Sequence, residues 1–197
     1  MDEFVDAALA LADAPGIYAV VFAFTLLDAF LVIVPSETLV VALGALAMST
    51  GSPSVWILVP VAAVAAVAGD SLTYVIGRGL RRRGTGWSRR PRVAAVLEWA
   101  RTALDRRAAA VLLTARFVPF GRIAVNLTAG STGFRYSRFL PLTAVAGVCW
   151  AGYNVAVGGF FGVWFSHNPA LAVVLSVVVA VCAGVLLDRA SAFVARR

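Results

Sequence analysis

Apolar residues fill this chain in long blocks, and the polar positions that interrupt them fall where a helix would break or end. The first block, 17–47, is longer than one bilayer crossing, but Asp28 interrupts it and Pro35-Ser36-Glu37 breaks it near its middle. Proline lacks an amide donor and pushes the residue before it out of the helical region. Two half-helices are therefore predicted, folded back as a re-entrant hairpin with Pro35 at its tip and closed by the Ser/Gly/Pro loop 49–54. Irregular backbone at membrane depth is tolerated only where protein or a water-filled cavity surrounds it. A full span, 55–77, follows, with Asp70 and Tyr74 near its end.

In the segment 78–107, Val93, Val96, Leu97, Ala100 and Leu104 recur at helical spacing, with Arg92, Arg101, Arg106 and Arg107 largely elsewhere. That pattern predicts an amphipathic helix lying on the membrane surface. The next block, 108–134, is again split by proline, within Arg116-Phe-Val-Pro119-Phe-Gly121-Arg122. A second full span, 139–165, a polar turn containing His167 and a closing apolar helix, 170–187, complete the chain.

A broken hairpin followed by a span thus occurs twice, entering first from outside and then from inside. The predicted fold is an all-α polytopic membrane protein: an inverted repeat of two opposed re-entrant helical hairpins, each followed by a transmembrane helix. A cytoplasmic amphipathic helix and a closing C-terminal transmembrane helix are added to it. One membrane domain is expected over 1–197, with a first repeat at 14–77, an arginine-rich segment at 78–107, a second repeat at 108–165 and the closing helix and basic tail at 166–197.

Composition agrees. The chain is 61% hydrophobic with mean hydropathy +0.89, more apolar surface than a soluble domain can hide. Its net charge of +7 rests on arginine alone, since lysine is absent, and ten of the 17 arginines lie between 78 and 107. Juxtamembrane basic residues stay cytoplasmic, which orients that segment and the tail with Arg189, Arg196 and Arg197 inward. The absence of lysine and the heavy use of Ala, Val and Arg suggest a GC-rich bacterial genome, so a bacterial inner membrane is the expected location. Because these arginines flank apolar spans, anionic lipid headgroups are nearer partners than nucleic acid. No basic region precedes the first apolar stretch, so a cleaved leader is not expected. Cys149 and Cys182 lack metal-ligand spacing, and no metal cluster, nucleotide-binding loop or Ser/His/Asp arrangement stands out. Neither a cofactor nor enzymatic activity is expected.

Candidate chemistry lies in the charges embedded in apolar sequence: Asp28, Glu37, Asp70, Arg116 and Arg122. Each costs roughly 2.5–3.5 kcal/mol at the bilayer centre unless paired or wet. On an unbroken helix Arg116 and Arg122 would point about 240° apart. With breaks at Pro35 and Pro119, both arginines and both hairpin carboxylates can bend toward one cavity between the tips. Two guanidinium groups suit a phosphate, and carboxylates beside them could neutralise them in the empty state and exchange protons during a cycle. Substrate-binding roles are expected of Arg116, Arg122, Glu37 and Asp28, and proton-coupling roles of Glu37, Asp28 and Asp70. Cavity or hinge positions are expected at Pro35, Ser36, Pro119, Gly121, Tyr74 and Asn154. The same charges would equally serve as structural ion pairs, and Tyr74 and Asn154 as polar residues in helix packing.

The chain resembles the DedA family, also called the VTT or SNARE-associated family. Its arginine and proline motif reads Arg116-Phe-Val-Pro119-Phe-Gly121-Arg122 followed by Ala129-Gly130, its upstream acid and Pro-x-Glu element read Asp28 and Pro35-Ser36-Glu37, and its Gly-Asp-x-x-x-Tyr-x-x-Gly-Arg element reads Gly69, Asp70, Tyr74, Gly77 and Arg78. Two departures are a shorter upstream acid, Asp28, and the arginine richness before Trp99. The resemblance implies a proton-coupled flippase or scramblase that moves a lipid with an anionic phosphate headgroup, a polyprenyl phosphate or a phospholipid, between leaflets. A transporter of small ions or oxyanions and a non-transporting membrane scaffold are the competing readings. A homo-oligomer is compatible with all three.

Overall fold

A computed structural model describes residues 14–30, 36–82, 91–116 and 121–164, with four further positions, 171, 174, 175 and 178. Pro35, Pro119, His167, the basic tail and nearly all of the closing segment lie outside the described residues. Six helices have described bounds: α1 (Gly16–Asp28), α2 (Ser36–Thr50), α3 (Val55–Arg82), α4 (Pro91–Ala115), α5 (Gly121–Thr132) and α6 (Tyr136–Trp164).

The lengths of these helices divide them into two kinds. With 28 and 29 residues, α3 and α6 reach about 42 Å at 1.5 Å per residue, enough to cross a hydrocarbon core of about 30 Å. Both are apolar enough to do so, and both present large apolar side chains outward, Trp56, Val64 and Val75 on α3 and Val148, Phe160 and Trp164 on α6. By contrast α1, α2 and α5, with 13, 15 and 12 residues, reach only about 18–23 Å and do not cross alone. Each long helix carries a proline in its second turn, Pro60 and Pro141, close to the end whose first amides have no intrahelical partner in any case.

The spans differ from the sequence expectation at their ends. Helix α3 continues past Gly77 to Arg82, because arginine is a good helix former and its long stem lets the charge reach the interface while the backbone stays helical. Helix α6 starts at Tyr136, ahead of Phe139. Within α4 the backbone leaves the helical region at Arg107, where φ is −144° and ψ 47°, so the amphipathic segment ends there and the first half-helix of the second repeat begins beyond it, at the boundary expected from the sequence. Of the expected apolar stripe, Ala100 and Leu104 are buried while Arg101, Arg106 and Arg107 are exposed. The side chains of Val93, Val96 and Leu97 lie outside the described residues.

Packing crosses between the two halves of the chain. Helix α2 lies chiefly on α6, and α5 chiefly on α3. Both contacts are made through glycine: a Cβ on Gly44 would stand 2.9 Å from the Cα of Val155, and one on Gly158 would collide with the carbonyl of Val41. In the other half, Gly130 abuts the carbonyl of Tyr74 and Gly77 the carbonyl of Leu127. Val41 and Gly44 stand to Gly158 and Val155 as Leu127 and Gly130 stand to Gly77 and Tyr74, so one shift of numbering along the short helices and another along the long ones maps one contact onto the other. Small residues of this kind let helix backbones approach closely in a medium that supplies no hydrophobic drive between helices.

Two apolar cores result. One gathers Val21, Val40, Leu58 and Trp150, and the other Tyr74, Leu104, Val125 and Phe139. Between them lies the polar cluster.

Candidate functional site

Asp70 is the hub of that cluster. It sits on α3 with its side chain 3% exposed, and Arg116, one residue past the end of α4, donates from Nη1 to its Oδ2 at 2.7 Å with its own side chain 2% exposed. The hydroxyl of Thr143 on α6 donates to the same oxygen at 2.6 Å. Asn126 Nδ2, on α5, donates to Oδ1 at 2.9 Å, and Arg122 Nε, one turn earlier on α5, forms an ion pair with Oδ1 at 3.6 Å. Four helical elements therefore converge on one carboxylate.

A second carboxylate shares Arg122. Its Nη2 donates to Asp28 Oδ2 at 3.2 Å, a pair that is partly accessible, with side chains 13% and 18% exposed. Ser36, the first residue of α2, donates its hydroxyl to the same Asp28 oxygen at 2.9 Å. The end of α1 and the start of α2, on either side of the Pro35 segment, are thereby tied to the start of α5.

Glu37 stands at the edge of this network. It is exposed, and its Oε1 accepts a long hydrogen bond, 3.4 Å, from Trp150 Nε1. The indole face of Trp150 lies 5.1 Å from the Arg116 guanidinium carbon, a distance at which a cation is attracted by the ring quadrupole. Trp150 thus links Glu37 to Arg116. Two atoms of Arg116, Nε and Nη2, are buried without a hydrogen-bond partner among the described residues.

All five embedded charges are thus brought together, directly or through Trp150, and Ser36 is joined to them by its hydroxyl. Gly121 supplies the first residue of α5, one position before Arg122. Tyr74 and Asn154 are held elsewhere. The Tyr74 hydroxyl donates to the carbonyl of Phe134 and its ring packs on Phe139 at 4.8 Å, while Asn154 Nδ2 donates to the carbonyl of Trp150 at 2.9 Å. Asn126, Thr143 and Trp150 are the members that reading the sequence missed. The available signal was weak: a polar or aromatic residue on an apolar helix, resembling many others in this chain.

Electrostatically the two arginines balance Asp28 and Asp70, and Glu37 remains at the exposed edge as the fifth charge. Removing one donor from a buried carboxylate costs about 1–3 kcal/mol. Thr143→Val, which keeps the side-chain shape, is therefore expected to lower thermal stability in detergent by about that amount, whereas Thr143→Ser should stay near wild type. Among the described residues, no group of three or more His, Cys, Asp or Glu is placed to hold a metal ion.

Two helices long and apolar enough to cross a membrane, shorter helices packed against them and a buried cluster of paired charges are the architecture of a membrane protein with a polar centre. The VTT domain family model matches residues 34–160, which takes in α2 through most of α6. An uncharacterized membrane protein of Mycobacterium tuberculosis (strain H37Rv) is 30% identical over 93% of this chain and 81% of its own. Protein DedA of Escherichia coli K12 is 27% identical over 86% of this chain and 81% of its own. An uncharacterized membrane protein of Mycobacterium leprae is 30% identical over 71% and 68%. The chain belongs to the VTT domain, or DedA, family of membrane proteins. No solved structure matches it.

Proposed function

We propose that this protein is a translocase that carries a phosphate-bearing lipid, a polyprenyl phosphate or a phospholipid, between leaflets of the bacterial inner membrane, coupled to protons. In this reading α1–α2 and the second half of α4 with α5 are opposed re-entrant hairpins. Their lengths, too short to cross, and their reciprocal glycine contacts with the opposite span support it.

The observation that carries the proposal is the position of Arg122. It is shared between a sealed carboxylate, Asp70, and a partly accessible one, Asp28, so an entering phosphate can replace Asp28 on Arg122 while Asp70 keeps the helices together. A lipid anion entering with a proton leaves the net charge of the cluster unchanged. Arg116, with two N–H groups unpartnered among the described residues, supplies further donors suited to a phosphate.

The test is leaflet exchange of labelled polyprenyl phosphate and phospholipids in proteoliposomes, with and without a pH gradient. Arg122→Ala is expected to slow exchange about 10- to 100-fold, the weight of a charge-assisted hydrogen bond, and Arg122→Lys to retain part of it. Exchange of free phosphate without any lipid would favour an oxyanion transporter. No flux of either, with folding intact, would leave the cluster as the ion-paired core of a scaffold.

A further inference from the structure

A second basic feature lies apart from the buried cluster, where α4 passes the turn between α5 and α6. A pocket of about 540 Å³ opens there, with Arg135, Ser137 and Arg138 on one wall and Leu104, Asp105 and Ala108 of α4 on the other. Its apolar lining is completed by Phe134, Pro141 and Leu142. The bend at Arg107 falls between Asp105 and Ala108, so α4 changes course as it lines this pocket.

Three properties indicate what the pocket suits. The arginines are exposed and have no carboxylate within ion-pairing distance among the described residues, whereas Asp105 pairs with Arg101 on its own helix at 4.0 Å. The pocket lies beside the arginine-bearing end of α3: Gly133, which lines it, meets the Arg81 guanidinium, and Tyr136 bonds Ser71 of α3 at 3.0 Å. By the bias of basic residues this end faces the cytoplasm. Finally, the lining pairs a cationic rim with an apolar wall. A free anion would leave the apolar wall unused, and an apolar chain alone would leave the guanidinium groups unused.

We infer that this pocket binds the headgroup of an anionic phospholipid from the cytoplasmic leaflet, its phosphodiester on Arg135 and Arg138 and its upper acyl chains against Pro141 and Leu142. The first turn of α6 adds its partial positive charge to the same spot. The site is separate from Asp28, Asp70, Arg116 and Arg122 and does not depend on lipid translocation. Asp105 opposes the bound charge from the facing wall, so the arginines and the aspartate should act in opposite directions.

The test is lipid binding to the full chain in detergent by native mass spectrometry, using phosphatidylglycerol and phosphatidylcholine, with inorganic phosphate as competitor. Phosphatidylglycerol is expected to bind in preference to phosphatidylcholine. Arg135→Ala and Arg138→Ala should each weaken it about fivefold, Asp105→Asn should strengthen it, and Arg106→Ala, on an exposed residue of α4 outside the pocket, should leave it unchanged. All four positions are exposed, so the variants should fold, which their thermal unfolding checks. Equal binding of the two lipids, unchanged affinity in the arginine variants, weaker binding in Asp105→Asn, or displacement by millimolar phosphate would each overturn the inference.

Discussion

Asp70→Leu is expected to lower stability by about 3–5 kcal/mol, the cost of breaking a buried ion pair by removing one partner. Arg116 would be left as a buried cation with its 2.7 Å partner gone, and Asn126 and Thr143 would each lose their acceptor. Asp70→Asn should do little better. A guanidinium faces each carboxylate oxygen, so whichever side the new amide N–H₂ takes, it meets another donor. The informative variant is the double one. Replacing Asp70 by Leu and Arg116 by Met removes both charges and fills the space with apolar atoms, which for buried pairs is often neutral or stabilising. Stability should largely return in the double variant, and lipid exchange should not. Thermal unfolding in detergent and leaflet exchange on the same preparations separate the two roles. If Asp70→Leu alone matched wild type in stability, the ion pair would not be holding the helices together.

That expectation shows how much of the site could be read from the chain. Proline at 35 and 119 signals breaks in two apolar blocks, and the described helices stop and restart on either side of both, because a missing amide donor is a local property. Charges inside apolar sequence are equally visible, and all five meet in the fold. Their pairing is not visible. Asp70 lies eight residues before Arg78 on the same helix, yet its partners come from α4, α5 and α6. Such pairings depend on how helices cross, which is set by Gly44, Gly77, Gly130 and Gly158 meeting backbone on the opposite helix. A glycine in an apolar helix does not announce its neighbour. For the same reason the sequence leaves Tyr74 and Asn154 open between a cavity and helix packing, and in the fold each is satisfied by a carbonyl in the packed core. The apolar stripe through Ala100 and Leu104 predicts a helix that ends near 107, and the backbone does leave the helical region at Arg107, where the next half-helix takes over.

Because those glycines set the helix crossings, they should control the site from a distance. Gly130→Val is expected to abolish lipid exchange although residue 130 touches none of the charged groups. Its Cβ would collide with the carbonyl of Tyr74 and approach the amide of Arg78 to 2.8 Å. Both are helical backbone and cannot swing aside as the end of a side chain can. Relief requires α5 to move off α3, and α5 carries both Arg122 and Asn126, so a displacement of an ångström would take both away from Asp70. Overpacking of this kind costs typically 1–3 kcal/mol, with the higher figure expected where backbone is the obstacle. Gly158→Val should do the same to α2 through the carbonyl of Val41, pulling Ser36 from Asp28 and Glu37 from Trp150. Gly152→Val is the control, since a Cβ there meets nothing within 4 Å, and stability within about 0.5 kcal/mol of wild type is expected. Equal loss of exchange at positions 130 and 158, with position 152 silent, is the result expected if both short helices must hold their charged ends at one centre. Loss at 130 with 158 unaffected would confine the working site to Asp70, Arg116 and Arg122 and remove Glu37 and Ser36 from it.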